Sequence, residues 1–148
     1  MKRMSVVFLL LGVPVTGWAQ LPGKDLAFAQ IAIGGGCETV LNLTNRGTSA
    51  YNGSLTPLPS DPARAFPVRV NGNPLAGAMK LVLDAGSTAS LIITSGDVSG
   101  DTLSGFAAIA GTNRNSPALL EGNLIYYVDS ASGAVMDSVG VVPSSRLF

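Results

Sequence analysis

The chain has 148 residues, with nine Lys and Arg balanced by nine Asp and Glu, one cysteine and no histidine. That inventory excludes a His-based triad, a histidine general base and a histidine zinc site, and it excludes an internal disulfide. No Lys/Arg cluster offsets the even charge, so the chain lacks the electrostatic footprint of a nucleic-acid binder.

Residues 1–19 read as a cleavable secretory signal peptide. Lys2 and Arg3 precede an apolar run over 6–15, and Thr16-Gly17-Trp18-Ala19 supplies a small-residue cleavage site. The run is too short to span a bilayer, and Pro14 marks where the leader leaves helix. Cleavage leaves about 129 residues with seven basic against nine acidic groups, a net charge near −2. No later apolar run is long enough to cross a membrane. The mature chain divides into a short segment over 20–24, one domain over 25–143 and a tail over 144–148. A core, not disulfides, must hold this domain, and its length is sufficient for one.

From there short apolar runs alternate with Gly, Pro, Ser, Thr and Asn, and none has the helical period of an amphipathic helix. The first strand, 26–33, is apolar on both faces, as a covered central strand would be. Gly34-Gly35-Gly36 breaks it. In the second strand Thr39, Leu41 and Leu43 alternate with Glu38, Val40 and Asn42, the period-2 pattern of a half-buried strand. Cys37 fits there as a small apolar residue. Asn45-Arg46-Gly47 is the next turn.

A third strand over 49–55 leads into a Pro57–Pro62 stretch, which the missing proline donors place outside a ladder as an exposed connection. Two strands, 66–70 and 79–83, flank Asn71-Gly72, a pair that tolerates positive φ and so predicts a hairpin turn. A tight Asp84-Ala85-Gly86-Ser87 turn precedes a strand over 89–93. After a loop over 95–101 comes another strand apolar on both faces, 103–110. Finally 119–128 and 134–142 flank Asp129-Ser130-Ala131-Ser132-Gly133 as a hairpin with a longer loop. Eight or nine short strands at this spacing predict an all-β, antiparallel β-sandwich.

The run Phe28-Ala29-Gln30-Ile31-Ala32-Ile33-Gly34-Gly35-Gly36-Cys37-Glu38-Thr39-Val40-Leu41-Asn42-Leu43-Thr44-Asn45 resembles the opening of an uncharacterised family of secreted bacterial β-sandwich domains. Ser104–Ile109 and Gly133–Val142 are similar to that family's closing strands. The likeness spans most of 26–142. It implies an immunoglobulin-like sandwich of about seven to nine strands in an extracellular or cell-surface setting, and it carries no catalytic or binding residues across. Cys37 stands where those domains usually carry an aromatic residue.

Two segments suggest chemistry. Leu81-Val82-Leu83-Asp84-Ala85-Gly86-Ser87-Thr88 resembles the active-site turn of aspartic proteases, which pair two carboxylates across a shared proton. One such motif requires a homodimer, and Ala85 lacks the hydroxyl the motif places beside the aspartate. The bland reading of Asp84 and Gly86 is turn chemistry. In Ser95-Gly96-Asp97-Val98-Ser99-Gly100-Asp101, Asp97 and Asp101 offer oxygen ligands to calcium, though the spacing matches no calcium loop and solvated turn residues explain it equally. Tyr126 and Tyr127 must point to opposite faces of a strand, and Tyr127 is the candidate for an exposed binding surface. The reading is a secreted, non-enzymatic structural, adhesive or binding module at or beyond the cell surface. It is expected to use no cofactor or metal and to meet a protein or surface polymer, its own copies included. Cys37 is left either free or bridging two chains. The periplasm, the surface and the medium all remain open as its address. The alternative is a homodimeric aspartic protease centred on Asp84.

Overall fold

The computed structural model describes residues 25–97, 100–113, 117–129, 135–137 and 140–141. The leader over 1–19, the segment 20–24, the loop residues 130–134 and the tail 144–148 lie outside the described residues. The elements in chain order are β1 (Leu26–Ile33), β2 (Cys37–Asn45), β3 (Tyr51–Pro59), β4 (Val68–Val70), β5 (Asn73–Pro74), β6 (Met79–Leu83), β7 (Thr88–Ser95), β8 (Leu103–Gly111), β9 (Leu120–Asp129), β10 (Val135–Asp137) and β11 (Gly140–Val141). No helix occurs among the described residues.

All pairings are antiparallel, in one sheet ordered β1-β8-β3-β6 and a second ordered β10-β9-β2-β7-β4-β5, with β11 also on β9. The inward residues of both sheets close on one core. Phe28, Ile31, Ile33, Tyr51, Leu55, Leu83 and Ile109 come from the smaller sheet, and Leu41, Leu43, Val70, Ile93, Leu120 and Leu124 from the larger. This is the layered β-sandwich that period-2 alternation predicts, because each strand has one apolar face to bury.

The strand order, however, is not the immunoglobulin one. There the first two strands would be neighbours in one sheet; here β1 pairs β8 and β2 pairs β7. From the β4–β5 tip outward, β3 pairs β6, β2 pairs β7 and β1 pairs β8, as in one long antiparallel ribbon. The ribbon is wound so that β3 also meets β8 and β4 meets β7. That is the order of an eight-stranded jelly roll, to which β9 adds a ninth strand along the whole of β2, from Cys37 opposite Val128 to Asn45 opposite Leu120. The physical reason lies in the connections. Between β1 and β9 every link except the β4–β5 turn passes from one sheet to the other. Gly34, Gly35 and Gly36 make the first crossing, with φ of 74°, 55° and 81° that residues bearing a Cβ rarely adopt.

Three expectations are corrected in detail. Asn71-Gly72 does form a turn with positive φ at both positions (50° and 79°), but it joins β4 to the two-residue β5, while the 79–83 strand crosses to the other sheet and pairs β3. Pro57 and Pro59 lie inside β3, opposite Ala107 and Gly105. They are tolerated because β6 ends its pairing at Leu55, so this part of β3 has β8 as its one sheet neighbour. And β1 is an edge strand, not a central one. Its outward positions are Ala27, Ala29, Gln30 and Ala32, and three of these four read as apolar only because alanine fills them.

The open edge of β1 is nevertheless capped. Thr39, fully buried on β2, donates its hydroxyl to the Ala32 carbonyl (2.7 Å) and accepts the Ala32 N–H (3.0 Å). On β9, Tyr126 donates to the Gln30 carbonyl at 2.5 Å, beside the register shift between Phe28 and Ile31. Side chains of one sheet thus occupy edge groups of the other, which blunts strand addition there.

Candidate interaction surfaces

At one end of the sandwich the Asp84 turn is built around Asn45. Asn45 is fully buried, and its Nδ2 donates to the carbonyls of Ser49 (2.8 Å), Leu83 (3.1 Å) and Asp84 (3.2 Å). Its Oδ1 accepts from the N–H groups of Gly47 (3.0 Å) and Leu119 (3.3 Å). Its backbone exchanges hydrogen bonds with the same turn, donating to Ser87 and accepting from Gly86, each at 2.9 Å. One amide therefore pins the β2–β3 turn, the β6–β7 turn and the entry to β9. Within the β6–β7 turn the Asp84 carbonyl accepts both the Ser87 N–H (3.1 Å) and the Ser87 hydroxyl (2.8 Å), and Gly86 takes φ of 72°. These are the backbone duties expected of a tight turn. The Asp84 residue itself is exposed at the tip.

At the opposite end, the β3–β4 connection and the β7–β8 loop border an open cleft lined by Arg64, Pro67, Ser95, Asp97 and Asp101. Asp101 accepts from Arg64 Nη2 at 2.7 Å, so its carboxylate already faces a cation. The Asp97 N–H donates to the buried Ser95 hydroxyl at 3.0 Å. Val98 and Ser99, between the two aspartates, lie outside the described residues. Among the described residues no three His, Cys, Asp or Glu side chains gather as a metal site would require. Cys37, half-exposed nearby, places its sulfur 3.7 Å from the Thr102 hydroxyl.

The outer faces of the two sheets differ in chemistry. On the larger sheet, register sets Tyr127 beside Glu38, with Thr94 and Arg69 continuing the row across β7 and β4. Below it run an apolar row, Ile125, Val40 and Ile92, and then a polar one in which Asn42 donates to Asn123 (3.0 Å) and accepts from Ser90 (2.6 Å). Tyr126 and Tyr127 do project to opposite sides. Tyr126 turns inward to Gln30, where burial raises its phenol above the ordinary tyrosine pKa. The smaller sheet presents Leu58 and Phe106 side by side on β3 and β8, 37% and 40% exposed, with Val82 (51%) apart from them on β6 opposite Asn52; on the larger sheet Ile92 is 42% exposed.

Sequence reading missed Asn45, Thr39 and Phe106. For Phe106 a signal existed: inside 103–110 the alternation sets Gly105, Ala107 and Ile109 on one side and Ser104, Phe106, Ala108 and Ala110 on the other. The first set is the buried one. Comparison with protein families, curated proteins and solved structures finds no match to this chain.

Proposed function

We propose that the chain is a secreted, non-enzymatic β-sandwich module that acts as a structural, adhesive or binding element at or beyond the cell surface. The observation that carries this reading is the outer face of the smaller sheet, where Leu58 and Phe106 stand exposed side by side on β3 and β8. Exposed apolar groups gathered on one face mark contact surfaces more often than solvent-facing ones. The leader over 1–19 supports the export half of the reading. Its test is direct. Mass spectrometry of the exported product should find an N-terminus at Gln20, and the purified product should co-sediment with cell envelopes. A chain that keeps residues 1–19 and stays inside the cell would overturn the export half, and an exported product that binds neither the envelope, nor a surface polymer, nor its own copies would overturn the binding half.

The competing reading is a homodimeric aspartic protease, for which Asp84 has the exposed position at a turn tip that pairing with its symmetry mate requires. Acid-dependent peptide cleavage that disappears in Asp84→Asn would establish it. Absence of cleavage by the purified chain at acid pH would remove it.

A further inference from the structure

We infer that Asn71-Gly72, at the tip of the β4–β5 turn, is a self-modifying site, where the Gly72 nitrogen displaces the Asn71 side-chain amide and leaves an isoaspartyl or aspartyl link. Asn71 continues the β4–β7 ladder in an unusual way. Val70 lies opposite Ile93, so Ile92 is the next partner along β7. The Asn71 N–H donates to the Ile92 carbonyl at 2.8 Å, as a ladder requires. With φ at 50°, however, the Asn71 carbonyl accepts from the Asn73 amide instead, and the return bond from the Ile92 N–H goes to the side-chain Oδ1 at 2.8 Å.

That bond prepares the side chain for attack. The Ile92 N–H draws electron density out of the Cγ–Oδ1 bond and sits where negative charge gathers when a nucleophile adds to Cγ. The Gly72 nitrogen, one residue on, is the nucleophile. It is exposed and donates to no other group among the described residues. Apart from its chain neighbours, no atom lies within 4 Å of the point that a Cβ on Gly72 would occupy, so nothing crowds the approach.

The reaction needs water alone. The Gly72 nitrogen gives its proton to solvent and bonds to Cγ, the Cγ–Nδ2 bond breaks, and Nδ2 leaves as ammonia with a proton from water, closing a succinimide ring. A second water opens the ring. Attack at the Asn71 backbone carbonyl carbon leaves Gly72 linked through Cγ, the isoaspartyl product, and attack at Cγ restores the original backbone with a carboxylate side chain. Along the isoaspartyl path Oδ1 stays on Cγ throughout, so Ile92 keeps its acceptor. The new carboxylate appears close to Arg69, whose Nη1 already donates to the Gly72 carbonyl at 2.9 Å.

Asn52-Gly53 has the same dipeptide and supplies the contrast. Asn52 is also exposed, but its carbonyl accepts from the Thr112 N–H on the β8 side at 2.9 Å. Alternation along β3 therefore turns the Gly53 N–H the other way, into the ladder with Leu81 on β6. A Cβ on Gly53 would lie 2.4 Å from the Ala110 carbonyl oxygen. A nitrogen bonded and hemmed in this way is held off the preceding side chain.

Incubating the folded chain in heavy-oxygen water at mildly alkaline pH, followed by peptide mapping with electron-transfer fragmentation, tests the inference. Ammonia should be released, and heavy oxygen with an isoaspartyl signature should accumulate at Asn71 faster than at Asn52 by on the order of tenfold or more. In urea the two sites should convert at similar rates, because the fold and not the dipeptide separates them. Gly72→Ala, which meets no clash, should slow conversion at Asn71, with circular dichroism checking that the variant is folded. Equal conversion of both sites in the folded chain, conversion at Asn71 only after unfolding, or an unchanged rate in Gly72→Ala overturns the inference.

Discussion

Asn45 is the residue whose loss should cost the fold most for its size. Replacing it with alanine leaves three carbonyls and two N–H groups near the end of the core without their amide partner. Asn45→Ala should therefore lower unfolding stability by about 2–4 kcal/mol, measured by urea denaturation. Tyr51, 2% exposed, responds instead to pH. Burial first, and the Asp25 carboxylate second, push its phenol well above the ordinary tyrosine range. A group whose folded pKa is raised adds stability below its unfolded pKa, near 10, and that contribution is lost as pH rises toward the folded value. The chain should thus lose stability progressively above pH of about 10, and Tyr51→Phe should flatten that decline in a pH series of thermal melts. Gly105 presents a steric case. A Cβ there would lie 2.4 Å from the Leu58 carbonyl oxygen and 2.6 Å from the Phe66 ring. Gly105→Ala should cost about 1–3 kcal/mol in the same denaturation assay, the range for overpacking a filled site.

Among the elements, β1 and β9 show how this sandwich manages its edges. Thr39 and Tyr126 occupy backbone groups on the open side of β1, so Thr39→Val with Tyr126→Phe should expose a pairing edge without emptying the core. The expected outcome is faster aggregation on mild heating, followed by light scattering, with each single variant intermediate. β9 is an addition to eight strands that already form a complete jelly roll, yet it buries Leu120 and Leu124 fully. Leu124→Ala should consequently cost about 2–5 kcal/mol, as cavity formation does at a well-packed leucine. Strand existence was legible in the sequence, since alternation in 38–43 reports one buried face; 103–110 reads as apolar on both faces, whereas Ser104, Phe106 and Ala110 are exposed. Strand partnership was not. The Asn71-Gly72 dipeptide predicts its own turn geometry correctly, because positive φ is a local property, but it says nothing of where the chain goes after Pro74.

For the whole molecule, one core shared by both sheets implies one cooperative unfolding transition. Cys37 is the chain's sole cysteine, so a reductant should leave the unfolding midpoint unchanged. A change in mass on reduction would instead reveal bridging between two chains. The Asp84 motif and the Asp97–Asp101 loop, the two chemical leads in the sequence, fall near opposite ends of the sandwich. In the first, the Asp84 backbone closes a turn; in the second, Asp101 faces Arg64.

The sequence by itself determined the all-β character, the inward residues of β2 and the turn at Asn71-Gly72, because period and turn chemistry are written within a few neighbouring residues. Only the tertiary structure decided that strands from β1 to β9 mostly alternate between sheets, that prolines could sit in β3, and that Asn45 and Tyr126 would find partners far along the chain. Those outcomes depend on which strand lies beside which, and that choice belongs to the packing of the whole core.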